Sequence, residues 1–199
     1  MEIPEADFTA IVAELKRQPL QTNAYRKGAG RGQSQAFGVV NRRSLPPDYS
    51  RCCWMRPYLY KLLLDFASIY VKIPFNAITI NNNYAAAPHK DKGNVGDSFL
   101  VACGDYSGGE LVIHEGEQKG TYDIRHRPIV GNFRDNLHEV KEFQGHRISL
   151  VFYTTANSPP LPLPSVRFDK EKEKWVFFRG EEPITDGLPH PLKGRKVKK

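Results

Sequence analysis

Two stretches of the chain place apolar residues at every third or fourth position. In residues 7–18, Phe8, Ile11, Val12 and Leu15 share one side, with Asp7 or Thr9 available as a cap, which predicts an amphipathic helix. From residue 54 or 56 to about residue 70, Leu59, Leu62, Leu63, Phe66, Ile69 and Tyr70 repeat in the same way and predict a second helix that packs against a core. Pro74 prevents it from continuing. After it the pattern shortens to strands, expected at 77–84, 98–103, 110–114, 121–125, 127–133, 137–141 and 146–155. Short turns such as 105–109 separate them, which predicts an antiparallel jelly-roll in a mainly β, α+β chain. The run 158–164 is Pro-rich and reads as an extended segment leaving the core, and 174–178 reads as a late strand. No internal repeat is visible, and the chain is expected to form one domain over residues 1–199.

The strand at 146–155 has one polar face. Ile148, Leu150 and Phe152 fall on one side, and Arg147, Ser149, Val151 and Tyr153 on the other, polar enough to line a cavity. If 142–145 form a hairpin turn, a strand at 136–141 runs back beside it and His138 stands opposite Ser149; a three-residue loop would reverse that parity.

This placement matters because of what precedes it. His89 and Asp91 are two apart, so in an extended segment they deliver an imidazole and a carboxylate to one point. His138 follows 47 residues after Asp91, and Arg147-x-Ser149 begins nine residues later. Two histidines and a carboxylate form a facial triad that holds Fe(II) and leaves positions open, as non-haem oxygenases require. An arginine fork grips a carboxylate in two places, which suits a dicarboxylate such as 2-oxoglutarate. His-x-Asp alone is a weak signal in a chain with six histidines, and the plain alternative for His89 is a loop histidine on a basic surface. His114, His126, His146 and His190 read as strand, turn or tail residues, with His114 the strongest exception. Gly108 and Gly109 read as backbone-geometry positions.

Taken together, Asn82-Asn83-Tyr84, His89-x-Asp91, His138 and Arg147-x-Ser149 resemble the Fe(II)/2-oxoglutarate dioxygenases, over about residues 76–155. The resemblance implies a double-stranded β-helix core, with iron held by His89, Asp91 and His138, and 2-oxoglutarate held by Arg147 and Ser149. O2 would be the second co-substrate. Similar sets occur in AlkB-like demethylases, and that likeness implies that Asn82 and Tyr84 contact the co-substrate; the ordinary alternative is a turn-rich asparagine run with a rim tyrosine. The stretch 88–94 resembles the TET/JBP group, which oxidises 5-methylpyrimidines in DNA. It implies a substrate contact by Asn94. Prolyl-hydroxylase-like and small-molecule hydroxylases share the core but often anchor 2-oxoglutarate with lysine, so Arg147 leans away from that subgroup. A third reading is a jelly-roll binding module whose His-x-Asp is incidental.

Charge bears on the partner. The net charge is +7, and between Arg26 and Arg51 six basic residues (Arg26, Lys27, Arg31, Arg42, Arg43, Arg51) face one acid, Asp48. This patch, with its glycine-rich run 28–34, is expected to follow a phosphate backbone, with Arg42 and Arg43 touching substrate; basic surface that merely aids solubility is the alternative. Phe37, Tyr49 and Trp54 beside it are either base-stacking residues or core. The tail 193–199 adds five more basic residues. Three cysteines, two adjacent, do not make a disulfide framework. No apolar run reaches the ~18 residues of a membrane span, and the first residues lack a signal peptide's regions. The expectation is an intracellular protein, cytoplasmic or nuclear, that binds DNA and no membrane.

Overall fold

The computed structural model describes residues 1–20, 32–42, 45–156, 161–162 and 164–184. Arg26, Lys27, Arg31 and Arg43, most of the Pro-rich run and the basic tail lie outside the described residues.

The first expected helix forms as a 3-10 turn, Glu5–Phe8, leading into α1, Thr9–Arg17. The second is divided. A four-residue α2, Cys52–Met55, precedes α3, Pro57–Tyr70, because Pro57 has no N–H to carry a helix through and serves instead at the start of a new one. Between these helices, past a glycine-rich run most of which lies outside the described residues, the chain forms strands β1, Gln33–Arg42, and β2, Leu45–Tyr49. Phe37 and Val39 supply the reason. Both are buried in the core, and so is Tyr49, whose hydroxyl donates to the Pro162 carbonyl. Trp54 packs beside Phe177. The aromatics that might have stacked a base therefore serve packing.

Then follow β3, Ala77–Asn82; β4, Asn94–Cys103; β5, Tyr106–Gly108; β6, Leu111–Ile113; β7, Gly120–Tyr122; β8, Ile129–Gly131; β9, His138–Val140; β10, Phe143–Gly145; and β11, Ile148–Thr155. A last group comprises β12, Pro164–Asp169; β13, Lys174–Arg179; and β14, Glu182–Ile184. The main sheet has the order β2-β1-β3-β11-β4-β8, every pair antiparallel. A small sheet β7-β6-β9, a pair β10-β5 and a sheet β12-β13-β14 complete the architecture. This is a mainly β jelly-roll with supporting N-terminal helices.

Residues two apart on a strand share a face, so each central strand of the main sheet has two different sides. Ile78, Ile80, Phe99, Val101, Ile148, Leu150 and Phe152 join Ile11 and Leu15 of α1 and Leu59, Leu63 and Phe66 of α3 in one core cluster. Burial of each such side chain stabilises the fold by about 1.5–3 kcal/mol. Val166, Phe177 and Ile184 of the last sheet belong to the same cluster. The opposite side is lined by Thr79, Asn81, Leu100, Ser149, Val151 and Tyr153, and faces a cavity instead. Leu111, Ile113, Ile124 and Phe133 form a second cluster with Leu100 and Ala102 on that side.

The expected hairpin between 136–141 and 146–153 does not form. β9 pairs with β6, the expected turn 142–145 is largely strand β10 paired with β5, and β11 lies between β3 and β4. Ser149 stands opposite Asn81 and Ala102, not His138. Buried apolar β11, which fills the centre of the main sheet, wins over the locally simpler connection.

Candidate active site

A cavity of about 550 Å3 opens between the polar side of the main sheet and the small sheets. His89, Asp91, His138, Arg147, Ser149, Asn81, Tyr84 and Asn94 all line it.

His89 lies outside the named strands but is fixed to β9 by an isolated bridge: its N–H donates to the His138 carbonyl at 2.9 Å, and the His138 N–H donates to the His89 carbonyl at 3.0 Å. Asp91 is anchored by its own N–H, which donates to the Phe133 carbonyl at 2.9 Å. Three ligand atoms, one from each of His89, Asp91 and His138, lie within 4.8 Å of one another, the only such group among the described residues. The His89 Nε2 is 3.5 Å from one Asp91 carboxylate oxygen, and the His138 Nε2 is 3.9 Å from the other.

Each imidazole is oriented from behind. The His89 Nδ1 is 2.8 Å from the Ala87 carbonyl and the His138 Nδ1 is 2.9 Å from the Asn136 carbonyl. A carbonyl accepts only from a protonated Nδ1, which leaves Nε2 as the lone-pair donor toward the cluster, the arrangement typical of metal-binding histidines. Burial, with His89 nearby, holds the His138 imidazole below its ordinary pKa and favours the neutral form that a metal needs. The donor set of two imidazole nitrogens and one carboxylate, with open space beside it, fits Fe(II).

Arg147 lies at the closed end, 2 % exposed. Its N–H donates to the Asn83 side-chain oxygen at 2.8 Å, and the Asn83 N–H donates to the Arg147 carbonyl at 2.8 Å, which fixes the start of β11 to the end of β3. The guanidinium passes between the rings of Tyr106 and Phe143, 5.5 and 5.8 Å from their centroids. Gly109, at φ +74, makes room for it: a Cβ there would come 3.1 Å from Cδ and 3.2 Å from Nε of Arg147. Both Nε and Nη2 of Arg147 are buried with no hydrogen-bond acceptor. Burial lowers the guanidinium pKa, yet arginine remains protonated in proteins, so a cation with two aligned donors faces this cavity. Beside it the Asn81 amide donates to the Ser149 hydroxyl at 3.2 Å.

Among the expected contact residues, Asn82 turns away from the cavity, while Asn94 lines it. β3 ends at Asn82, whose side chain shares the face of Ile78 and Ile80 and donates to the Gln33 side-chain oxygen at 3.0 Å. Asn83 then turns to φ 51, so Asn82 and Tyr84 do not share a face; Asn81 and Tyr84 line the cavity instead. Asn94 is buried and touches Asp91 and Ser98. Arg42 pairs with Leu45 through the main chain at the end of β1, and its side chain lies outside the described residues. His114 pairs with Glu139 at 3.1 Å, outside the metal group. Gly108 and Gly109 hold positive φ as expected; Asn81, Tyr106 and Phe143 were missed from sequence, and only Asn81 carried a usable signal, its parity with Thr79.

No protein-family model and no curated protein matches the chain. Solved structures do. NgTET1 in complex with 5mC DNA is 14% identical and aligns over 78% of this chain and 70% of its own, with a TM-score of 0.52. A 2OG-Fe(II) oxygenase family oxidoreductase from Burkholderia pseudomallei is 18% identical over 73% of this chain and 77% of its own, with a TM-score of 0.51. OsALKBH1 is 14% identical over 76% and 92%, also with a TM-score of 0.51. With its main sheet and small sheets enclosing the His89, Asp91 and His138 group, this chain has the fold of the 2-oxoglutarate/Fe(II) oxygenases.

Proposed function

We propose that this chain is an Fe(II)- and 2-oxoglutarate-dependent dioxygenase that hydroxylates a C–H bond. The observation that carries the reading is the meeting, in one cavity, of a two-His-one-carboxylate group and a buried guanidinium whose Nε and Nη2 have no acceptor. An unpaired buried charge costs several kcal/mol, so a fold that keeps one is built for an anionic ligand at that point. A facial triad alone would serve many metals; a carboxylate fork beside it selects a keto-acid co-substrate.

His89, Asp91 and His138 would hold the iron, and Arg147 with Ser149 would hold the far carboxylate of 2-oxoglutarate. Bound Fe(II), 2-oxoglutarate and O2 supply a coupled oxidation: the co-substrate leaves as succinate and CO2, and one oxygen atom enters a substrate C–H bond. The chain's own contribution is to orient and to exclude water. Leu100, Leu111, Ile124, Val140 and Val151 give the cavity dry walls, within which the Arg147 charge is felt more strongly than in water.

For substrate we infer the methyl group of 5-methylcytosine, or a related 5-methylpyrimidine, in DNA. In support, the fold is similar to that of NgTET1, which was solved with 5mC DNA. Lys92 is exposed where it lines the cavity, and the whole chain carries +7, both suited to a phosphate backbone. The test is anaerobic loading with Fe(II) and 2-oxoglutarate, then oxygen, with succinate measured in the presence and absence of 5-methylcytosine DNA. Succinate strongly stimulated by methylated DNA supports both levels of the reading. An unchanged slow rate keeps the oxygenase and points to a protein side chain or small molecule, and no succinate at all overturns the enzyme assignment.

A further inference from the structure

We infer that Asn94 is a positioning residue for the metal-binding carboxylate, and that its amide nitrogen works as a strap between Asp91 and β4. The inference rests on the reading of His89, Asp91 and His138 as metal ligands.

The geometry is specific. Asn94 is only 6 % exposed, and its N–H donates to the Asp91 carbonyl at 2.9 Å, closing a tight turn over residues 91–94. Its side-chain nitrogen has two hydrogens and two acceptors. One is the Ser98 hydroxyl at 3.3 Å, the other the Asp91 Oδ2 at 3.5 Å. The second contact is long for a hydrogen bond, but it is aimed at the oxygen that faces His138, while the other oxygen faces His89. An amide NH2 has no further donor to offer once both are engaged.

Ser98 is fully buried, and the residues between it and Asn94 are not: Val95, Gly96 and Asp97 bulge outward, where the β4–β11 register shifts. The Asn94–Ser98 hydrogen bond thus closes the neck of a bulge, and the same amide reaches back to the carboxylate. Arg134 adds to the clamp by donating to the Asn94 carbonyl at 3.4 Å. A carboxylate on a segment without regular secondary structure, as Asp91 is, rotates freely unless something holds it. Partners behind a metal ligand do this in general, and their loss typically weakens metal binding 10–100-fold.

The test uses the whole chain and Co(II) as the probe, added without 2-oxoglutarate or nucleic acid so that no substrate contact contributes. Visible ligand-field bands and titration calorimetry report coordination and affinity. N94A is expected to bind Co(II) ~10-fold more weakly than the wild type, with altered bands. S98A removes only the anchor of the strap and is expected to shift both in the same direction by less. Should N94A not fold, S98A carries the comparison. Wild-type affinity and bands in both variants would overturn the inference. A wild-type chain that takes up no Co(II) would overturn the metal reading itself, and this inference with it.

Discussion

His89 and His138 exchange both of their backbone hydrogen bonds, at 2.9 and 3.0 Å, although 49 residues separate them in the chain. The two imidazoles are therefore brought together by main-chain pairing, 4.3 Å apart at their ring centroids, before any ligand contributes. A site preformed in the folded chain and absent from the unfolded one couples metal binding to stability. Saturating Co(II) or Mn(II) at 100 times its dissociation constant is expected to add about 2.7 kcal/mol, read as a raised Tm. Asp91→Ala should lose that shift together with all turnover, and normal 2-oxoglutarate consumption by this variant would sink the metal assignment.

Arg147→Lys keeps a positive charge and loses the fork. Hydrogen bonds to charged groups contribute roughly 1.5–3 kcal/mol, so the 2-oxoglutarate requirement should rise about 10- to 100-fold. The measurement is succinate formation against co-substrate concentration; an unchanged requirement moves the anchor elsewhere.

Gly109→Ala tests the same anchor from behind. The position has φ +74 and the added methyl would stand 3.1 Å from the Arg147 side chain. Destabilisation of about 1 kcal/mol or more is expected in urea unfolding, because alanine is strained at positive φ. The 2-oxoglutarate requirement should also rise. Loss of stability without that rise would mean that glycine serves the turn alone.

Asn81→Ala and Asn82→Ala separate neighbouring residues by strand parity. Asn81 touches Ser149 within the cavity, whereas Asn82 bonds Gln33 on β1. The first is expected to raise the co-substrate requirement several-fold with a small stability cost, and the second to lower stability by about 1 kcal/mol and leave that requirement unchanged. The reverse result would place the co-substrate on the other side of β3.

The His138 imidazole is held below its ordinary pKa by burial, so the folded chain binds this proton more weakly than the unfolded chain does. In the metal-free protein, stability from this group is present above the ordinary histidine pKa and falls as pH drops toward the lowered value. Below both it changes no further. Urea midpoints from pH 7 downward should show that slope, and His138→Gln should flatten it.

Much of this was legible in the residues. β11 was readable because Ile148, Leu150 and Phe152 alternate without interruption with Arg147, Ser149 and Val151, and alternation is a local property. His89, Asp91 and His138 were readable because the chemistry restricts residue type. What escaped depended on distant pairing. Nothing near 136–145 reveals that β9 prefers β6 and β10 prefers β5, since their partners lie some 25 to 40 residues away. Asn82 was chosen over Asn81 because a run of three asparagines has no apolar member to set its phase, and the left-handed turn at Asn83 is a backbone event that composition does not announce. The basic segment after Gln33 was read by its charge, while Phe37, Val39 and Tyr49 were already specifying strands there.

The two-sided β11 also constrains how such a chain can change over evolutionary time. Its helix-side residues and its cavity-side residues can be exchanged independently, one set adjusting stability and the other co-substrate binding. Insertion or deletion of a single residue has no such freedom. A shift by one would drive Arg147 and Ser149 into the apolar core and turn Ile148 and Leu150 toward the iron site. Drift within this strand is therefore expected to proceed by substitution, with length changes tolerated only in the loops at either end.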